Sequence, residues 1–122
     1  MKKILCLLLL TALALPVAAA EVDCDAQYCF GTADFSTSED PLRGVCITAL
    51  PDPNTGTVML GSRVVRTGDI LTTGQLEQLT FIPLRTETDQ VARICYLPVY
   101  NDRVEQTAVA TINIRGKENK AP

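Results

Sequence analysis

The chain has 122 residues, 14 acidic against 11 basic side chains, a formal net charge of −3 and no histidine. Without histidine, Ser-His and Cys-His nucleophilic catalysis and histidine metal centres are excluded. The acidic balance offers no electrostatic attraction to nucleic acid or to an anionic membrane surface.

The first twenty residues read as an export signal. Lys2 and Lys3 form a positive n-region, ILCLLLLTALAL is an apolar h-region, Pro16 interrupts it, and Ala18-Ala19-Ala20 places small residues before Glu21. A membrane-spanning helix needs about 20 apolar residues, more than this stretch offers. The only membrane contact expected is therefore through the export signal, with cleavage near Ala20 and a secreted or cell-surface location. A lipid anchor is the alternative, but Asp23 immediately before Cys24 does not suit a lipobox, and Cys6 lies too early. Losing Lys2 and Lys3 leaves about a hundred residues with a more negative charge. That length is one domain, able to bury roughly two-thirds of its unfolded surface.

Four cysteines follow the signal: Cys24, Cys29, Cys46 and Cys95. An even number in an exported chain permits disulfides. The expected pairing is Cys24–Cys29 as a local bridge, with Cys46–Cys95 closing a loop worth on the order of 4 kcal/mol in the chain-entropy view. Strand parity argues the other way. In GVCITAL and ARICYLPV the aliphatic residues alternate with Cys46 and Cys95, which turns both thiols outward; outward thiols on opposite sheets cannot meet, so free thiols stay open as the second reading. Structural zinc is a poor fit, with no histidine and no CxxC pair.

After the signal, nearly every segment shows period-two alternation or turn chemistry. YCFGTADF is expected as a first strand with Tyr28 and Phe30 in phase, and GVCITAL, 44–50, as a strand rich in β-branched residues. PDPNTG, 51–56, is a loop; TVMLG and RVV form a hairpin about Gly61-Ser62; Thr67-Gly68-Asp69 turns again. ILTTGQLEQL breaks the rhythm. Thr72 and Gln75 resemble a capping box, and Leu76 and Leu79 lie three apart, so one short helical turn is expected near residues 73–79. TFIPL resumes as a strand, RTETDQ is a polar loop, and VARICYLPVY and AVATINI are the strongest strands. In the last, Ala108, Ala110, Ile112 and Ile114 share one face. About seven short strands with frequent turns predict an all-β, antiparallel sandwich over residues 21–117. A small OB-type barrel is the runner-up, but its aromatic faces and basic loops are missing.

No catalytic residue is assigned. The carboxylates Glu39-Asp40, Asp52, Asp69, Glu87, Asp89 and Asp102 fall in turns, where they serve backbone capping and solubility, and no P-loop or dinucleotide fingerprint occurs. No cofactor is expected. Calcium is conceivable if Glu39-Asp40, Asp52 or Asp102 gather at one pole, but no DxDxDG-type spacing supports it.

The ordered set Gly56, Val58, Leu60, Val64, Gly68, Leu71, Leu76, Leu79, Phe81, Pro83, Tyr96 and Ile112, over about residues 42–122, resembles bacterial Ig-like/cadherin-like surface repeats and the chondroitin-sulfate-proteoglycan-type repeat pattern. The resemblance implies an N-terminal module of a tandem array on a secreted or surface protein, serving as a spacer or adhesion scaffold. Its partners would be the following domains of the same polypeptide, and a cell-envelope or extracellular protein or glycan. Two other readings stay open: an accessory domain of a secreted enzyme, and a stand-alone binding module. Glu118 to Pro122, ENKAP, resembles the start of an inter-domain linker; Lys120 stands there where calcium rigidification would need an oxygen donor.

Overall fold

The computed structural model describes residues 19–118. Nearly all of the export signal, and residues 119–122 of the linker, lie outside the described residues. Among the described residues, nine strands are arranged in two sheets. They are β1 (Ala20–Asp23), β2 (Tyr28–Cys29), β3 (Gly44–Ala49), β4 (Gly56–Leu60), β5 (Arg63–Val64), β6 (Ile70–Thr72), β7 (Leu79–Pro83), β8 (Gln90–Val99) and β9 (Ala108–Arg115). One sheet has the order β1-β9-β8-β3-β6 and the other β2-β7-β4-β5. The fold is therefore all-β, with more strands than the seven anticipated.

Period-two side-chain alternation drives the two sheets together. In β8, Ala92, Ile94, Tyr96 and Pro98 are buried while Val91, Arg93, Cys95 and Leu97 turn outward. In β9, Ala110, Ile112 and Ile114 point inward as the sequence phase requires. Facing them from the other sheet are Val58, Leu79 and Phe81, and among the described residues no polar or charged residue is buried with them. Burying these side chains supplies the main stabilisation, at roughly 25 cal/mol per Å² of apolar surface. At one side of the core Phe35 bridges Phe30 and Tyr96, with ring centroids at 5.4 and 5.0 Å, and the Tyr96 hydroxyl donates to the Phe35 carbonyl at 3.0 Å.

Gly56 is needed where β4 passes closest to the core: a Cβ there would sit 2.5 Å from the Phe81 ring and 2.6 Å from the Ile82 carbonyl oxygen. Gly68 adopts φ 96°, the positive value that its turn before Asp69 calls for.

The capping box is present. Thr72 caps the helical turn α1 (Thr73–Leu76): its Oγ1 accepts from the Gln75 N–H at 3.2 Å, and the Thr72 N–H donates to Gln75 Oε1 at 2.9 Å. The turn is shorter than the 73–79 anticipated, because Leu79 is already the first residue of β7. Leu76 and Leu79 are nonetheless both fully buried.

Three expectations need correction. YCFGTADF is not one strand: β2 ends at Cys29, and Asp34 Oδ2 accepts the Gly31 N–H at 2.9 Å, closing a 3-10 turn over Thr32–Asp34. The sandwich is not wholly antiparallel, since β1 pairs parallel with β9, Ala20 facing Ile112 and Val22 facing Ile114. Finally, Cys46 and Cys95 lie on neighbouring strands of one sheet rather than on opposite sheets.

The parallel pair has a geometric consequence. β1 and β9 run in the same direction; β1 starts beside Ile112, part-way along a β9 about 26 Å long at ~3.3 Å per residue, and both finish level with Arg115. The end of the sheet where β9 begins is termed the entry pole below, and the end where it finishes the exit pole.

Candidate functional site

The first and last strands are tied by charge at the exit pole. On the outward face of β1, Glu21 and Asp23 alternate with inward Ala20 and Val22; on β9, Arg115 faces them. Arg115 Nε donates to Asp23 Oδ1 at 2.8 Å, and its Nη1 donates to Glu21 Oε1 at 2.6 Å. Lys117 Nζ lies 3.2 Å from Asp25 Oδ2 and 3.6 Å from Asp23 Oδ2. The hydrogen bond from Arg115 holds the Asp23 carboxyl below its usual range, and Asp25 raises the Lys117 ammonium. The backbone continues the tie: the Cys24 N–H donates to the Arg115 carbonyl at 2.9 Å, and the Lys117 N–H to the Thr86 carbonyl at 2.9 Å.

At the entry pole, β9 outruns β1. Among the described residues, Ala108–Thr111 have no partner on the side where Ala20 begins β1. A cavity of about 530 Å³ opens there, lined by Ala19, Ala20, Phe30, Tyr96, Ala108 and Ala110 among others. The small side chains of Ala108 and Ala110 leave this space. Tyr96, buried beside it, has its hydroxyl pKa pushed up to about 12 by desolvation. Tyr28 is likewise raised to about 12, by burial and by the hydrogen bond it donates to Asp34 at 2.9 Å.

A third cluster gathers two of the carboxylates considered for calcium. Asp40, Asp102 and Glu105 converge on the Arg103 guanidinium at 3.0, 2.9 and 2.8 Å, while Arg103 stacks 4.5 Å from the Tyr100 ring centroid. A side-chain cation thus sits where the carboxylates meet, and the Glu105 carboxyl is lowered by it. Asp52 is elsewhere, its Oδ1 accepting the Asn54 N–H at 2.8 Å in an Asx-type turn. Asp69 accepts from the Arg66 N–H and from Arg63, and Asp89 from the Gly116 N–H. Among the described residues no group of three His, Cys, Asp or Glu is arranged to hold a metal ion.

The four cysteines are free thiols in the structure, so neither expected bridge is formed. Cys24 is buried at the end of β1 and its Sγ donates to the Thr86 carbonyl at 3.3 Å, whereas Cys29 is exposed on β2 in the other sheet. Cys46 faces Leu97, and Cys95 faces Ala49 across a register shift. The two thiols are therefore diagonal rather than opposed. The outward phase inferred from parity is the one observed; both are half-buried on the outer face.

The carboxylates with shifted pKa values at these clusters, Asp23, Asp69, Glu77 and Glu105, are all lowered by hydrogen bonds to donors. Such shifts favour the ionised form of each carboxyl, Glu77 through the Thr32 N–H and hydroxyl that it accepts from.

Compared with protein-family models, curated proteins and solved structures, the chain matches none.

Proposed function

We propose that this chain is a non-enzymatic, exported Ig/cadherin-like module that acts as a spacer or scaffold, one of several folded units on the same polypeptide at a bacterial surface or in a secreted protein. The observation that carries this reading is the parallel pairing of β1 with β9. First and last strands that run the same way carry the polypeptide onward through the module, whereas antiparallel terminal strands would turn it back. The ion pairs of Arg115 and Lys117 with Glu21, Asp23 and Asp25 support the same reading, because they fasten the first strand to the strand that leads toward the following domains.

The export half of the proposal is tested by fractionating cells that express the full chain and measuring the intact mass of the product. The expected product begins at Glu21 and lies outside the cytoplasm. An uncleaved chain confined to the cytoplasm overturns export.

The entry-pole cavity favours one second reading, a binding module. Its wall mixes alanine, Phe30 and Ile112 with Ser36, Thr37, Thr111 and a single carboxylate, Asp34, which already accepts from Tyr28 and Gly31. That mixed lining beside the edge of β9 suits an extended polypeptide segment.

A further inference from the structure

The pairing of β9 with both its neighbours ends at Arg115, and a chain leaving a sheet ordinarily frays from such a point. Gly116 and Lys117 are nevertheless held. Because β9 lies between β1 and β8, the chain departs between the end of β1 and the 84–89 loop that leads into β8. From the loop side, Asp89 Oδ1 accepts the Gly116 N–H at 2.9 Å, and the Thr86 carbonyl accepts the Lys117 N–H at 2.9 Å. From the β1 side, Cys24 Sγ donates to the same Thr86 carbonyl at 3.3 Å, and Lys117 Nζ lies 3.2 Å from Asp25 Oδ2.

Gly116 makes this fit possible. Its φ is not positive, so the backbone conformation does not call for glycine. Space does: a Cβ there would lie 2.6 Å from the Thr88 nitrogen and from the carbonyl carbons of Glu87 and Thr88. The loop backbone therefore rests directly on the outgoing chain, an approach that only glycine allows. The loop is itself closed, since Thr86 Oγ1 accepts the Thr88 N–H and donates to the Thr88 carbonyl, both at 3.2 Å. The Lys117–Asp25 ion pair is half exposed and contributes little. The hold thus comes from the two backbone N–H groups and the close contact at Gly116.

We propose that the 84–89 loop is an exit guide: it fixes the direction in which the polypeptide leaves the sandwich. The linker then starts at Glu118 on a set bearing, and the folded unit that follows is oriented from Lys117 instead of swivelling about the end of β9. The loop is a positioning element for the next unit, and Asp89, Thr86 and Gly116 are the residues that give it that role. The inference rests on the spacer reading only for its use in an array; the fixed bearing is a property of the single chain.

The test is nuclear magnetic resonance on the isotope-labelled chain purified from expressing cells, reading the residual dipolar couplings of its backbone N–H groups in a stretched gel. In the parent, the couplings at residues 116 and 117 are expected to fit the alignment tensor set by β8 and β9. Asp89→Ala, at an exposed position, removes the acceptor of the Gly116 N–H, and Gly116→Ala forces the loop backbone away. In both variants the couplings at 116 and 117 are expected to shrink and leave the tensor, while those of β8 and β9 stay on it. Parent couplings at 116 and 117 already averaged off the tensor overturn the proposal. So do couplings that remain on it in the variants, and Asp89→Ala alone decides if Gly116→Ala does not fold. Failure of the tandem-geometry measurement that closes the Discussion would remove the spacer role and leave these couplings unaffected.

Discussion

Arg115 Nε donates to Asp23 Oδ1 at 2.8 Å, joining the last strand of the sandwich to the first across 92 residues of sequence. Both partners are substantially exposed, so the contact orients β1 more than it stabilises the whole fold. Arg115→Ala is expected to lower the thermal midpoint slightly in dilute buffer, and the difference is expected to vanish near 1 M salt, where the Debye length is about 3 Å. Thermal scans at the two salt concentrations check this. An undiminished difference at high salt shows that the residue acts through packing.

Acid should destabilise the protein for a defined reason. Asp23 and Glu105 are held below their ordinary values of 3.8 and 4.5, chiefly by hydrogen bonds from Arg115 and Arg103. A carboxyl lowered in the folded state contributes stability that is fully present above its ordinary value and is lost as pH falls through the lowered one. The thermal midpoint is therefore expected to be level above about pH 5 and to fall below about pH 4. Asp23→Asn together with Glu105→Gln should flatten part of that fall.

Alkali acts through tyrosine with the opposite sign. Tyr96 and Tyr28 are raised from 10.0 to about 12, Tyr96 chiefly by burial. A group raised in the folded state contributes stability fully present below its ordinary value and lost as pH rises through the folded one. Unfolding should therefore become easier between about pH 10 and 12. Tyr96→Phe should remove part of this dependence while leaving the Phe35 carbonyl without its partner, at a cost of about 1–3 kcal/mol at neutral pH. Denaturant titrations at pH 7 and pH 11 distinguish the two effects.

Two local substitutions test the packing. Gly56→Ala drives a Cβ into the Phe81 ring and the Ile82 carbonyl, and overpacking of this kind costs about 1–3 kcal/mol. Thr72→Ala removes the cap of α1 and should cost about 1 kcal/mol. Chemical denaturation measures both. A Gly56→Ala protein as stable as the parent contradicts the close approach described here.

Local rules made much of the sandwich legible. The capping box of Thr72 and Gln75 lies within four residues and needs no tertiary information, and the phase of Ala110, Ile112 and Ile114 is visible in AVATINI alone. Gly68 could likewise be assigned its positive φ from the turn it occupies. The exit-pole clamp could not be read this way. Glu and Asp are poor strand formers, so AEVDCD looks like polar flanking sequence until β9 supplies Arg115 and Lys117 at matching spacing. Its one available signal is the unbroken alternation of acids with Ala20, Val22 and Cys24. YCFGTADF misled for a related reason: Tyr28 and Phe30 are in phase, but Asp34 bonds the Gly31 N–H and bends the backbone into a 3-10 turn. The convergence of Asp40, Asp102 and Glu105 on Arg103 also depends on loops distant in sequence, which residue spacing does not reveal.

The central claim is that the module, with its first and last strands parallel, carries the polypeptide onward as a spacer. Small-angle X-ray scattering of two copies joined in tandem through ENKAP tests it most directly. The account predicts a two-lobed particle with a maximum dimension close to twice that of one copy. A compact pair with its copies folded side by side, little longer than a single module, would contradict it.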